Sequence, residues 1–255
     1  MTPATGTACL LLHGFGGTPF EMETLAPPLR KMGCTVSLPL YPGHGTTIAA
    51  FRRTMFADWL GCAEERFLAL AAGHDRVIPI GFSMGGSIAL TLAAKYRDAS
   101  CLAGVVALSP AYSIYRRYLF LRRLRDGLRG LVKTREKDRG ERHGTSESRA
   151  IAPYRGYEDA AGLAQALSLG RGLKNMRALL ERIVCPVFMM ADAHDRICPP
   201  DSFLRVARAV SSRDITARWV RMREQVTSHH MLTTHRETRG CVAGAVAGFV
   251  SRVAR

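Results

Sequence analysis

Short, nearly continuous apolar runs alternate along this chain with longer segments whose apolar residues recur every three or four positions. Runs of the first kind suit strands covered on both faces, and segments of the second kind suit helices packed against them. Runs at 7–12, 35–40, 76–80, 101–108, 186–191 and 216–222 predict strands. Helices are predicted from residue 19, over 55–71, from residue 85, over 201–210, and toward the C-terminus as far as 254. Thr18, Pro19 and Glu21 read as an N-cap, a first helical proline and a capping-box acid, while Gly33 and Gly73 read as helix stops. Regular alternation of this kind predicts an α/β fold, with a mostly parallel central sheet of about six strands and helices on both faces.

The rhythm breaks at 111–175. Apolar residues at 114, 118, 121, 124, 128 and 131 are separated by arginines, which predicts a basic amphipathic helix or helix pair interrupted at Gly127. Residues 134–149 are charged and aperiodic and read as a loop, and 160–169 and 173–183 read as two further helices. The organisation expected is a core of 1–110 and 173–255, carrying a basic helical cap at 111–172 over the edge where the strand ends gather. A chain of 255 residues suits one domain with such an insertion.

Charge sharpens this picture. The net charge is +15, and 111–175 alone holds 15 Arg and Lys against 7 Asp and Glu, a surplus of 8. The basic character is therefore local. It offers a peripheral contact to an anionic membrane surface, whereas no nucleic-acid module is recognisable and nucleic acid is not an expected partner. No secretory signal is read, since the first Lys or Arg is Arg30 and the apolar run at 8–12 is too short. Seven cysteines, odd in number, without a C-x-x-C pair and mostly inside apolar runs, predict a reducing, cytoplasmic setting and no zinc site.

The stretch Gly81-Phe82-Ser83-Met84-Gly85 sits where a predicted strand turns into a predicted helix. A turn tight enough to lift a serine hydroxyl clear of a sheet strains the backbone and leaves no room for a β-carbon on either flank, hence G-x-S-x-G. A serine hydroxyl needs a histidine to take its proton, and that histidine needs a carboxylate to fix its tautomer. Two later strands run into loops that hold Asp192 and Asp195, then His229 and His230, so the order is Ser, Asp, His. The plainer alternatives are that Ser83 belongs to a glycine-rich phosphate-binding turn, that His13 and His44 brace loop backbone, that His74, His143, His194 and His235 are solvated or packing residues, that Trp59 anchors the core, and that the arginines of 116–129 form a wet helix face.

Taken together, His13-Gly14-Phe15-Gly16-Gly17, Pro42-Gly43-His44-Gly45, Asp58-Trp59, the elbow with Gly86, Asp195-Arg196-Ile197-Cys198-Pro199 and Ser228-His229-His230 resemble the α/β-hydrolase superfamily. Within it, they resemble small bacterial carboxylesterases and monoacylglycerol lipases. The resemblance implies Ser83 as nucleophile, Asp195 as acid, His230 as base, and the backbone N–H groups of Phe15 and Met84 as oxyanion hole, with no cofactor and no metal. It also implies a small acyl ester of short to medium chain, monoacylglycerols included, as the substrate. An apolar cap face of Leu119, Phe120, Leu121 and Leu124 would suit the acyl chain. Similar proteins usually carry glycine at the positions of Asp192 and His229, so these two remain rival acid and base. The arginine-rich cap motivates two alternatives: a thioesterase or other acyl hydrolase for an anionic, CoA-type substrate, and a non-catalytic protein that binds membrane surfaces.

Overall fold

The computed structural model describes residues 6–113, 146–157 and 162–255. The expected basic helix at 114–132, its apolar face, and most of the charged stretch at 134–149 lie outside the described residues.

Six strands form one parallel sheet: β1 (Thr7–Leu12), β2 (Thr35–Ser37), β3 (Arg76–Phe82), β4 (Val105–Leu108), β5 (Val187–Asp192) and β6 (Ile215–Val220), in the order β2-β1-β3-β4-β5-β6. The chain leaves β1 toward one edge and leaves β3 toward the other. Their adjacent carboxyl ends therefore open a crevice in which loops from both can meet.

Alternate residues of each strand enter two separate cores. Ala8, Leu10 and Leu12 pack with Trp59, Phe67, Ile88, Leu173, Met176 and Phe203 on one face. Cys9 and Leu11 pack with Met22, Leu29, Val242, Val246 and Phe249 on the other. The inner strands β1, β3, β4 and β5 are covered on both sides, so their sequences are apolar nearly throughout, whereas the edge strands β2 and β6 stay partly exposed. The first core is closed by helices α3 (Phe56–Ala71), α4 (Met84–Lys95), α6 (Leu163–Leu179) and α7 (Ser202–Ala209), and the second by α1 (Ala26–Lys31) and α8 (Arg239–Val253). Two short helices, α2 (Ile48–Arg52) and α5 (Ser146–Ile151), complete the set among the described residues. Trp59 is wholly buried, stacks on Phe51 and donates its indole N–H to Thr54 Oγ1 at 3.0 Å, so it anchors the core as expected.

Three local expectations change. The two helices expected around 160–183 are one, α6, running through Gly170 and Gly172. A β-carbon on Gly172 would come within 2.3 Å of the Phe56 ring, so this glycine lets α3 approach rather than ending a helix. Residues 146–149, read as loop, begin α5. Residues 19–25 form a 3-10 turn without side-chain capping. Thr18 Oγ1 donates instead to the Arg155 carbonyl at 2.9 Å, and Glu21 turns inward. No helix among the described residues is long and apolar enough to cross a membrane.

Candidate active site

The β3-to-α4 turn sets the centre of the site. Ser83 has φ 54° and ψ −118°, a region that L-residues avoid and that costs about 1–3 kcal/mol. The turn is held there by packing: β-carbons on Gly81 and Gly85 would lie 2.0 Å from the Gly85 carbonyl oxygen and 2.1 Å from the Leu12 carbonyl oxygen. The Ser83 N–H donates to the Leu108 carbonyl at 2.8 Å, and the Ser83 carbonyl accepts from Ser87 N–H at 3.2 Å. The hydroxyl is thereby aimed away from the sheet, into the crevice.

The loop after β5 and the loop that follows β6 bring the other partners. The Ser83 hydroxyl lies 2.8 Å from His230 Nε2, and His230 Nδ1 lies 2.7 Å from Asp195 Oδ2. The second oxygen of Asp195 accepts N–H bonds from Ile197 and Cys198 at 2.8 and 2.9 Å, which fixes the carboxylate plane. A carboxylate can only accept from Nδ1–H, which leaves the Nε2 lone pair of the neutral ring facing the serine hydroxyl. Asp195 and His230 are buried, and the His230 ring lies against Phe82, with centroids 5.0 Å apart. A tie between Arg196 N–H and the Ser228 carbonyl at 2.9 Å joins the two loops.

The two rivals are brought to each other instead. Asp192 Oδ1 lies 3.3 Å from His229 Nδ1 and accepts the His194 N–H at 2.7 Å, while Asp192 Oδ2 accepts the Met222 N–H at 2.7 Å. His229, with φ 57°, donates Nε2–H to the Glu224 carbonyl at 2.6 Å. Asp192 and His229 thus form a buried pair beside the Ser83–His230–Asp195 chain. The atoms of Asp192, His194 and His229 that could hold a metal lie within 4.8 Å of one another.

The glycine-rich loop after β1 faces the elbow. Its histidines brace it, as the plainer reading expects. His13 Nε2 accepts the Tyr41 N–H at 3.4 Å and Nδ1–H donates to the Gly14 carbonyl at 2.9 Å. His44 Nε2 accepts the Gly16 N–H at 3.2 Å and Nδ1–H donates to the Pro42 carbonyl at 3.2 Å. Both rings therefore work as neutral acceptors. Consistently, burial lowers His13 to about 3 and His44 to about 4. Among the described residues no group accepts from the N–H of Phe15 or Met84, the two donors expected to form the oxyanion hole.

Sequence reasoning missed Glu21. Its Oε2 accepts the Gly14 N–H at 2.6 Å beneath the loop, and its carboxyl is 1% exposed. Burial raises it from 4.5 to about 7, against the opposing pull of the Gly14 N–H and of nearby His230. A capping signature and a buried loop anchor look alike in sequence.

The near end of the insertion also reaches this loop. The Tyr157 N–H donates to the Gly16 carbonyl at 2.7 Å, and the Tyr157 hydroxyl bridges the Gly43 carbonyl and the Thr46 N–H at 3.1 and 2.7 Å. A β-carbon on Gly156 would lie 2.3 Å from the Gly16 carbonyl oxygen, so glycine permits this approach.

Comparison with known proteins identifies the family. The family model described as "Alpha/beta hydrolase family" matches residues 9–238. A thermostable monoacylglycerol lipase of Bacillus sp. (strain H-257) is 32% identical over 225 residues, which cover 88% of this chain and 82% of that one. Of solved structures, one from the work on the metagenome-derived lipolytic enzymes LipS and LipT gives a TM-score of 0.76 at 20% identity, covering 98% of this chain and 96% of that one. The monoacylglycerol lipase of Paleococcus ferrophilus gives 0.71 at 19% identity, covering 96% and 94%.

Proposed function

The chain belongs to the alpha/beta hydrolase family and is a carboxylic ester hydrolase, and from that premise we propose that it cleaves short- to medium-chain acyl esters, monoacylglycerols among them, through a serine-bound acyl intermediate. The observation that carries this reading is the unbroken hydrogen-bond chain from Asp195 through His230 to Ser83.

In this mechanism Ser83 Oγ adds to the ester carbonyl carbon while its proton passes to His230 Nε2. Asp195 keeps the ring in its Nδ1–H tautomer and stabilises the imidazolium without taking the proton. Negative charge develops on the carbonyl oxygen, where the N–H groups of Phe15 and Met84 receive it. The tetrahedral intermediate collapses, the C–O bond to the alcohol breaks, and His230 protonates the leaving alkoxide. Water then adds to the acyl-enzyme, gives its proton to His230, and the acid departs as Ser83 recovers its hydrogen. Side chains and backbone complete every step. Residues 111–172 act as a cap that admits the acyl chain and offers its basic surface to anionic lipid. The tie of Tyr157 to the Gly16 carbonyl supports a cap seated over the glycine-rich loop. The seven unpaired thiols are in keeping with a cytoplasmic enzyme.

The test is hydrolysis of p-nitrophenyl esters from acetate to palmitate and of 1-monoacylglycerols by the wild type and by Ser83→Ala. Turnover of short and medium esters should fall by about 10⁴-fold or more in the variant. Equal rates for the two proteins would refute the assignment of the nucleophile, and turnover confined to palmitate would refute the chain-length range.

A further inference from the structure

Asp192, His194 and His229 stand outside the mechanism, yet their arrangement is unusual for side chains that only pack. The Glu224 carbonyl can only accept, so the neutral His229 ring carries its proton on Nε2 and leaves a lone pair on Nδ1. That lone pair faces another acceptor, Asp192 Oδ1, at 3.3 Å. His194 Nδ1 lies 3.6 Å from the same oxygen. Four-coordinate zinc, with bonds of about 2.0–2.1 Å, requires ligand atoms about 3.3–3.4 Å apart, close to both spacings.

The outer partners fit as well. A metal-bound histidine characteristically donates its other ring N–H to a carbonyl or carboxylate, as His229 does to Glu224, and the ligating carboxylate is itself hydrogen-bonded, as Asp192 is by the His194 and Met222 N–H groups. Asp192 and His229 are wholly buried in side chain, whereas the His194 side chain is 63% exposed. The cluster therefore opens to solvent on one side, which gives an ion a way in and leaves a fourth position for water. The exposed His194 ring is free to swing about its torsions and close the 4.8 Å span of the donor set.

We propose that Asp192, His194 and His229 form a binding site for one divalent transition-metal ion of the zinc class, which pins the loop carrying Asp195 to the loop carrying His230. Among the described residues one backbone-to-backbone bond, Arg196 N–H to the Ser228 carbonyl, joins the segments flanking the acid and base, beside the side-chain contacts of His230 with Asp195 and of His229 with Asp192. An ion held by Asp192 and His194 on one loop and by His229, next to His230, on the other would strengthen it without touching substrate. The ion's role is to hold the loops, and the ester chemistry does not pass through it. The expectation of no zinc site rested on the cysteine pattern, which does not bear on a His-and-Asp donor set.

Full-length protein stripped with EDTA and moved to chelator-free buffer is titrated with Co²⁺ and then Zn²⁺. The wild type should take up one Co²⁺ per chain with the visible bands of four-coordinate cobalt. Zn²⁺ should displace it and raise Tm with concentration, while Mg²⁺ and Ca²⁺, which prefer more numerous oxygen ligands, should do neither. His194→Ala removes an exposed side chain, so its circular dichroism and metal-free Tm should match the wild type, yet its zinc affinity should drop at least about tenfold and its cobalt spectrum vanish. Asp192→Asn should behave likewise toward the ion, and His74→Ala should bind as the wild type does. The proposal is overturned if the wild type takes up no stoichiometric Co²⁺, as a plain buried imidazolium–carboxylate pair would require. It is equally overturned if His194→Ala binds unchanged, or if a thiolate-to-cobalt charge-transfer band shows that cysteine holds the ion.

Discussion

Replacing Glu21 by glutamine should make the protein more stable at pH 8 and leave it much closer to the wild type at pH 5. Glutamine keeps the oxygen that accepts the Gly14 N–H but cannot ionise. The wild-type carboxyl titrates near 7 when folded, against an ordinary 4.5. The folded state therefore holds this proton more tightly than the unfolded chain does. The corresponding stability is fully present below 4.5 and is lost as pH rises through 7. Linkage puts the loss at about 3 kcal/mol at pH 8 and about 1 kcal/mol at pH 5, so the advantage of Glu21→Gln should grow by about 2 kcal/mol between them. Urea unfolding of both proteins at each pH reads this directly, and the difference between them cancels the titration of the buried histidines. A variant-minus-wild-type difference that is the same at both pH values would refute the argument, because it would mean that Glu21 ionises no differently when buried.

Two further outcomes follow from the same structure. Gly85→Ala drives a β-carbon against the Leu12 carbonyl and should cost more than about 3 kcal/mol, whereas Gly61→Ala, inside α3 with nothing within 4 Å of the new β-carbon, should gain about 0.5–1 kcal/mol; thermal melts of the two variants should move in opposite directions. His13 and His44, lowered to about 3 and about 4, contribute stability that is present above 6.5 and is lost as pH falls toward those values. Urea midpoints should therefore decline steeply below pH 6, and replacing His44 by glutamine, which can still accept the Gly16 N–H, should flatten the decline.

Local chemistry is legible in this sequence because it is set by near neighbours along the chain. Strands buried on both faces need continuous apolar runs, so the six-stranded α/β core was readable before any contact was known. The elbow was readable too, since Gly81 and Gly85 leave no room for a side chain. Where one residue type serves two purposes, the reading failed. Residues 170–172 fell between two expected helices, yet Gly172 lies inside α6 as the seat of the Phe56 ring, and Glu21 looked like a capping acid and is a buried anchor of the glycine-rich loop.

The pairing of acids with histidines lay beyond sequence altogether. Asp192 and Asp195 sit three residues apart, and His229 and His230 are adjacent, so spacing offers each acid either ring. Only the folded chain separates them: Asp192 ends β5 and is held by the Met222 N–H beside His229, while Asp195 lies a turn further on, fixed by Ile197 and Cys198 toward His230. His229 sits at φ 57°, a left-handed kink in the chain, and the two adjacent rings diverge there, one toward Ser83 and the other toward Asp192. The sequence by itself determined the sheet, the elbow and the residue types available for chemistry. The tertiary structure decided which of them touch, because those contacts depend on how two distant loops close over one sheet edge.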